Sequence, residues 1–157
     1  MSEKTRKKEI LGLAKEIATK AHEGATRRNG DDYVTHPIRV SENVTGLVLK
    51  IAALFHDVLE DTDYSSGDLV VPLLEKFPEF EDEIEEAIEI VRAVTHDKED
   101  ETYVEYLHRI KLAGPKAIAV KEADIIDNLN SDSTEKEKIK YPTALLFLKD
   151  EIKLERK

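Results

Sequence analysis

Apolar residues recur every three or four positions along almost the whole chain, and nothing alternates with period two for long enough to demand a sheet. Ile10, Leu13, Ala14, Ile17, Ala18 and Ala21 fall on one face of a helix predicted over roughly 5–23, and Gly24 fits its end. Residues 25–36 have no period, and Asn29-Gly30-Asp31-Asp32 reads as a turn. Pro37 can open a short helix through about 44, because the donor it lacks would have no partner there. Gly46 separates that segment from an apolar helix predicted over 47–61, and Ser65-Ser66-Gly67-Asp68 is a cap-like cluster before Leu69–Phe77. Phe80, Ile84, Ala87, Ile88, Val91 and Val94 stripe the next helix. Tyr103, Leu107 and Ile110 stripe another, ended near Gly114-Pro115. A helix from Pro115 to about Leu129 turns Ala117, Ile118, Val120 and Ala123 inward, and Thr134 caps a last helix that Pro142 kinks or restarts. The expected class is all-α.

With no evident linker or repeat, the 157 residues are expected to form one domain, 1–157, large enough to bury a core without staples. The absence of cysteine excludes disulfides, thiolate chemistry and cysteine-ligated zinc. The charged start, Met-Ser-Glu-Lys-Thr-Arg-Lys-Lys-Glu, predicts neither signal peptide nor anchor, and no stretch approaches the roughly 18 apolar residues that cross a bilayer. A cytoplasmic location is expected, with the oligomeric state left open. The net charge of −10 disfavours nucleic acid and acidic membranes as partners. It leaves room for a small anionic substrate served by a local basic cluster. The acid-rich run Glu79–Glu89 reads as a solvated helix face.

Residues 51–62 place His56, Asp57, Glu60 and Asp61 at the end of an apolar run, where an unpaired buried charge would be costly. His/Asp sets suit manganese, iron, zinc or nickel better than calcium, which prefers oxygen alone. As helix neighbours about 100° apart, His56 and Asp57 could share only the edge of a cleft. Glu60 follows His56 and Asp61 follows Asp57 by one turn, giving two stacked pairs. A metal site and a satisfied structural pair both fit this spacing. His36, beside Pro37, is either a rigidly presented ligand or a loop-ordering imidazole. Asp124, mid-helix between Ala123 and Ile125, wants a partner, and spacing does not choose among a metal, Arg39 and Lys121. Asn128 lies one turn on. Arg27, Arg28, Arg39 and Lys121 are the candidate cations for an anionic ligand.

The ordered stretches Ala21-His22-Glu23-Gly24 with Arg27 and Gly30, Tyr33-Val-Thr-His36-Pro37, Ala52 to Thr62, Val94-Thr95, Tyr103-Val-Glu-Tyr106-Leu, and Val120-Lys121-Glu122-Ala123-Asp124 with Asn128 carry a resemblance. The chain resembles the HD-domain metal-dependent phosphohydrolases, specifically the hydrolase region of RelA/SpoT-type proteins and the small alarmone hydrolases. That resemblance implies a compact helical HD-domain fold in which His36, His56, Asp57 and Asp124 ligate one Mn²⁺ or another divalent transition metal. It implies that Glu60 and Asp61 position and activate the attacking water, Arg27 lies along a guanine, and Asn128 contacts the ribose or phosphate region. Lys121 is expected to assist substrate binding. The implied reaction removes the 3′-pyrophosphate of (p)ppGpp, giving GDP or GTP. Metal charge would neutralise the phosphate and lower the pKa of a water, and Glu60 would accept a proton if an enclosed, like-charged setting lifted its pKa. Ala25, Asp32, Ile125 and Asp127 depart from the alarmone-hydrolase pattern and support an alternative, another nucleotide or small phosphate ester. His22 is expected in the core or orienting the loop before His36, whereas His96 and His108 read as surface residues.

Overall fold

The computed structural model describes residues 2–155, and among them the predicted string of helices appears without a strand. Helix α1 (Glu3–Ala21) opens at Ser2, whose hydroxyl accepts the Thr5 N–H at 3.1 Å, and buries Ile10, Ala14 and Ala18. After a polar loop closed by an isolated Thr26–Asp32 bridge come α2 (Thr35–Glu42), α3 (Leu47–Phe55) and α4 (Val58–Asp61). They are followed by α5 (Ser66–Lys76), a 3₁₀ turn at Pro78–Phe80, α6 (Glu81–Ala93), α7 (Tyr103–Ala113), α8 (Pro115–Ser131) and α9 (Glu135–Leu148). Reciprocal capping boxes at Ser65/Asp68, Thr102/Glu105 and Thr134/Glu137 start α5, α7 and α9, satisfying donors that a helix start leaves unpaired. Pro142 does not restart α9 as a separate element; the helix runs through it.

The helix predicted over 47–61 is the main departure. It breaks at His56–Asp57, although its apolar pattern continues into the buried Val58. The His56 imidazole lies 2.6 Å from the Ala53 carbonyl, and the His56 N–H turns to the same oxygen at 3.4 Å. That oxygen's normal helical donor is Asp57 N–H, so the regular ladder is lost there. Asp57 takes φ −100°, ψ −6°, and the chain restarts when Asp61 N–H reaches the Asp57 carbonyl at 2.9 Å. The two residues therefore do not project as ordinary helix neighbours.

Helix α3 is central and packs against α1, α2, α6 and α8. Its Ile51, Ala52, Leu54 and Phe55 join one core with Leu69 and Leu73 of α5, Ile84 and Val91 of α6, Leu107 and Ile110 of α7, and Val120 and Ile125 of α8. Each fully buried Leu, Ile or Phe contributes about 1.5–3 kcal/mol of transfer free energy. Ile125, an arginine position in the resembled hydrolases, is wholly part of this core. Because α2, α3 and α8 pack against one another, the segments bearing His36, His56-Asp57 and Asp124 meet. No described helix is long and apolar enough to cross a membrane.

Candidate metal centre

One ligand atom from each of His36, His56, Asp57 and Asp124 lies within 4.8 Å of the others. Asp124 Oδ1 is 2.8 Å from His36 Nε2 and 3.1 Å from His56 Nε2. Asp57 Oδ2 is 3.0 Å from His56 Nε2 and 3.5 Å from His36 Nε2, and the two Nε2 atoms are 3.2 Å apart. The opposite ring nitrogens set the tautomers. His56 Nδ1 faces only the Ala53 carbonyl, and His36 Nδ1 lies 2.7 Å from Asp127 Oδ2. Both partners are acceptors, so each Nδ1 carries a hydrogen, and a neutral ring then turns an Nε2 lone pair toward the two carboxylates. Two such lone pairs and two carboxylate oxygens repel unless a cation or protons lie between them. The N₂O₂ donor set fits a divalent transition metal. Without one, the centre pulls in protons: burial disfavours charged His56, but Asp57 and Asp124 outweigh it and raise its pKa well above 6.5. Burial likewise opposes ionised Asp57, yet His56 draws its pKa down to about 2.

The surrounding contacts resolve the choice left open for Asp124. Lys121 Nζ donates to its Oδ2 at 2.9 Å and Asn128 Nδ2 to its Oδ1 at 3.2 Å, both from α8. Arg39 instead donates to Asp127 through Nε at 2.8 Å and Nη2 at 3.1 Å. Asp127 was noted in the sequence only as a departure from a pattern, but its buried carboxylate holds His36, Arg39 and, at 3.4 Å, Arg27. The available signal was its place three residues after Asp124, on the same side of α8. Arg27 is buried, and its guanidinium donates to Asn128 Oδ1 at 2.8 Å and Ser131 Oγ at 3.1 Å as well. The two residues expected to contact a nucleotide thus hold each other. Tyr33 donates its hydroxyl to Asp57 Oδ2 at 2.8 Å and packs its ring 4.8 Å from buried His22.

Glu60 and Asp61 lie on α4 at the edge of a cavity of about 320 Å³, which opens over Asp57, Asp124, Lys121 and Asn128 and reaches Arg27 and Lys98. Glu60 Oε1 accepts the His96 N–H at 2.8 Å, and Lys98 Nζ is 3.6 Å from Oε2. Asp61 is the carboxyl driven toward neutrality, by burial of one side and by the charges of Asp57 and Glu60, to about 6. His96 and His108 are not surface residues but half-buried. The His96 ring stacks on Tyr106 at 4.6 Å, and His108 Nε2 donates to the Leu154 carbonyl at 2.6 Å. The His108 partner lies beyond the reach of any local pattern, whereas the His96 ring meets Glu101, Tyr103 and Tyr106 across the loop that leads into α7.

An all-helical frame in which two histidines and two aspartates converge from three segments defines a class of protein organised around a His/Asp centre. The chain belongs to the HD-domain family, whose sequence pattern matches residues 33–129. It is similar to the guanosine-3′,5′-bis(diphosphate) 3′-pyrophosphohydrolase of Haemophilus influenzae, with 32% identity over 122 residues covering 75% of this chain and 17% of that protein. It is also similar to a probable GTP pyrophosphokinase of Mycobacterium leprae, 29% identical over 130 residues, 78% of this chain and 16% of that one. The chain spans about a sixth of these relatives' length. A solved structure described as a metazoan ortholog of SpoT that hydrolyzes ppGpp superposes with a TM-score of 0.67 at 25% identity, covering 88% of this chain and 84% of that one. The all-α HD fold and the RelA/SpoT-type resemblance expected from the sequence are borne out.

Proposed function

We propose that this chain is a metal-dependent phosphohydrolase that removes the 3′-pyrophosphate of (p)ppGpp, with His36, His56, Asp57 and Asp124 holding one Mn²⁺. The observation that carries the reading is the pair of Nε2 atoms 3.2 Å apart, each with its Nδ1 already committed as a donor, beside two carboxylates in an open cavity. A divalent cation there supplies charge neutralisation for the phosphate and a lowered water pKa. The activity named for the bacterial relative and for the metazoan neighbour supports the substrate. The 157 residues act as one hydrolase domain in the cytoplasm, on a small anionic nucleotide rather than on nucleic acid.

In this mechanism Glu60, fixed by the His96 N–H, accepts a proton from the attacking water, and Asp61 shares in orienting it. The water oxygen bonds to the phosphorus attached to the ribose 3′-oxygen. The P–O3′ bond breaks, the 3′-oxygen regains a proton, and pyrophosphate leaves. Lys121, held against Asp124, offers its remaining donors to the phosphate, and Asn128 and Arg27 border the nucleoside. Action on another nucleotide or small phosphate ester is the second reading. It is favoured by Arg27, whose donors are spent on Asn128, Ser131 and Asp127 rather than kept free for a base.

Incubating Mn²⁺-loaded protein with ppGpp and a panel of other phosphorylated nucleotides tests both readings. GDP and pyrophosphate are expected; cleavage of other nucleotides with none from ppGpp would refute the substrate. Glu60→Gln is expected to lose about 10²–10⁴-fold in rate while keeping its metal, the usual worth of a general base.

A further inference from the structure

We propose that Tyr33 is a positioning residue for the metal centre: its hydroxyl fixes the Asp57 oxygen that faces the ion and so sets the metal affinity. This rests on the metal-dependent reading above and deepens it, since that reading gives the tyrosine no part.

The other three ligand side chains each have an anchor outside the quartet. His36 Nδ1 is held by Asp127 at 2.7 Å and His56 Nδ1 by the Ala53 carbonyl at 2.6 Å. Asp124 accepts from Lys121 at 2.9 Å and from Asn128 at 3.2 Å. Asp57 stands at the start of α4, where an aspartate ordinarily turns its carboxylate onto the first helix N–H groups, yet it makes no such cap. Among the described residues no lysine or arginine pairs with it, and its one hydrogen-bond donor outside the quartet is the Tyr33 hydroxyl, 2.8 Å from Oδ2. That same oxygen faces the imidazoles, 3.0 Å from His56 Nε2 and 3.5 Å from His36 Nε2. A carboxylate oxygen has two lone pairs. With one committed to the phenol, the other is left for an ion, and Asp57 enters as a one-oxygen ligand of set direction.

Tyr33 is itself fixed from several sides. Its N–H donates to the Ala25 carbonyl at 2.9 Å, and its own carbonyl accepts the His36 N–H at 3.1 Å. The phenol that aims Asp57 and the imidazole that meets it therefore hang on one turn. The loop before that turn is closed by the Thr26–Asp32 bridge and by Arg27 N–H on the Asp31 carbonyl at 2.8 Å. Beneath the phenol lies the His22 ring, 4.8 Å away and tilted by 40°. His22 is buried and its Nε2 has no hydrogen-bond partner, so it supports Tyr33 by packing rather than by a polar bond. Tyr33 thus joins the ligand of α2 to the ligand at the α3–α4 break. Without its hydroxyl, Asp57 would be opposed by the charge of Asp124 across the centre and held there by the histidines alone.

The test titrates metal-free wild type, Tyr33→Phe and Tyr141→Phe with Mn²⁺ by calorimetry. Tyr33→Phe keeps the ring and both backbone bonds and deletes only the donor, so the Mn²⁺ dissociation constant is expected to rise about 10–100-fold. Tyr141→Phe deletes a phenol that donates to a carboxylate away from the centre, Glu137 at 3.1 Å, and should bind Mn²⁺ as the wild type does. An unchanged constant in Tyr33→Phe, or an equal rise in Tyr141→Phe, would overturn the proposal. With ppGpp as substrate, Tyr33→Phe should need proportionally more Mn²⁺ to reach half its maximal rate and then attain the wild-type kcat, which a damaged fold would not do. A kcat that stays low at saturating Mn²⁺ would move Tyr33 from the metal to the reaction, and the proposal would be wrong. Should the metal-loaded wild type hydrolyse no nucleotide, the hydrolytic reading fails, and the calorimetric comparison alone decides the role of Tyr33. Should the wild type take up neither Mn²⁺ nor another divalent transition metal, the metal-dependent reading and this proposal fall together.

Discussion

Replacing Asp127 with asparagine keeps the shape of the side chain and removes its charge, which isolates what that carboxylate does for the centre. In the native protein it accepts from His36 Nδ1 at 2.7 Å, from Arg39 at 2.8 and 3.1 Å, and from Arg27 at 3.4 Å. Burial opposes its ionisation, but His36 and Arg39 hold its pKa far below 3.8. An asparagine has one acceptor oxygen, so the His36 bond and the arginine contacts compete for it, and the amide hydrogens face guanidinium groups. Each charge-assisted hydrogen bond is worth about 1.5–3 kcal/mol, and removing one partner of a buried pair costs about 3–5 kcal/mol. The Arg39 side chain is 35% exposed, so water recovers part of its share, whereas Arg27 at 3% has no such recourse. A net loss of about 2–4 kcal/mol follows, or roughly 4–16 °C in melting temperature for a chain this size. The same change loosens the His36 ring, so metal affinity should fall about 10–100-fold. Urea unfolding of the metal-free protein and Mn²⁺ titration by calorimetry measure the two effects separately. Stability within about 0.5 kcal/mol of wild type, together with unchanged affinity, would refute the role given to Asp127.

Mn²⁺ at a hundredfold excess over its dissociation constant should stabilise the protein by about 2.7 kcal/mol, visible as a higher melting temperature that a chelator reverses and Asp57→Asn abolishes. No metal-dependent shift would count against the ligand set. Asp61 holds its proton up to about pH 6 in the fold against an ordinary 3.8, so its favourable contribution is complete below about pH 4 and disappears as pH rises through 6. Asp61→Asn should therefore make the metal-free protein more stable at pH 7, by less than about 1 kcal/mol because the side chain is open to solvent on its cavity side, while slowing hydrolysis. A less stable variant in urea melts at pH 7 would contradict the carboxylate crowding. Arg109 ties the loop that holds Glu60, donating to the carbonyls of Ala93 at 2.8 Å and Thr95 at 2.7 Å and to Glu101 at 2.7 Å. Arg109→Gln is expected to lower kcat about tenfold with KM little changed; an unaltered kcat would show that Glu60 does not depend on this clasp.

Helix positions were legible because their causes are local: the Ser65, Thr102 and Thr134 caps and the three-to-four spacing of core residues act within a few positions. The break after Phe55 was hidden because Ile51, Leu54, Phe55 and Val58 maintain the apolar period across it, while the interruption arises from an imidazole competing for the Ala53 carbonyl. That one competition alters the site more than any boundary error, since it lets His56 and Asp57 face the same point. The His/Asp quartet could be named through family resemblance, but from spacing alone His36 and Asp124 were undecided until α2 and α8 packed on α3. Asp127 and Arg27 were harder still. Their contacts join residues 88 to 104 positions apart, beyond any periodicity, and turn a presumed base-facing arginine into a brace for α8.

A net charge of −10 suggests a poor receptor for a polyanion, yet the pairing of charges around the cavity points the other way. Asp127 is matched by Arg39 and Arg27, Asp132 and Glu137 by Arg28, and Asp124 by Lys121. Glu60 has Lys98 at the edge of contact. Most of the acids around the centre are thus matched by a cation of their own, whereas Asp57 meets only His36, His56 and Tyr33. A polyanion entering the cavity meets a local field set by these assignments rather than by the total, because at physiological salt charges farther away than about 8 Å are largely screened. Surface acid on α6, such as Glu85 and Glu89, should therefore be replaceable one at a time by glutamine with little effect on substrate KM, whereas Lys121→Gln should raise it, although each change moves the net charge by one unit, in opposite directions.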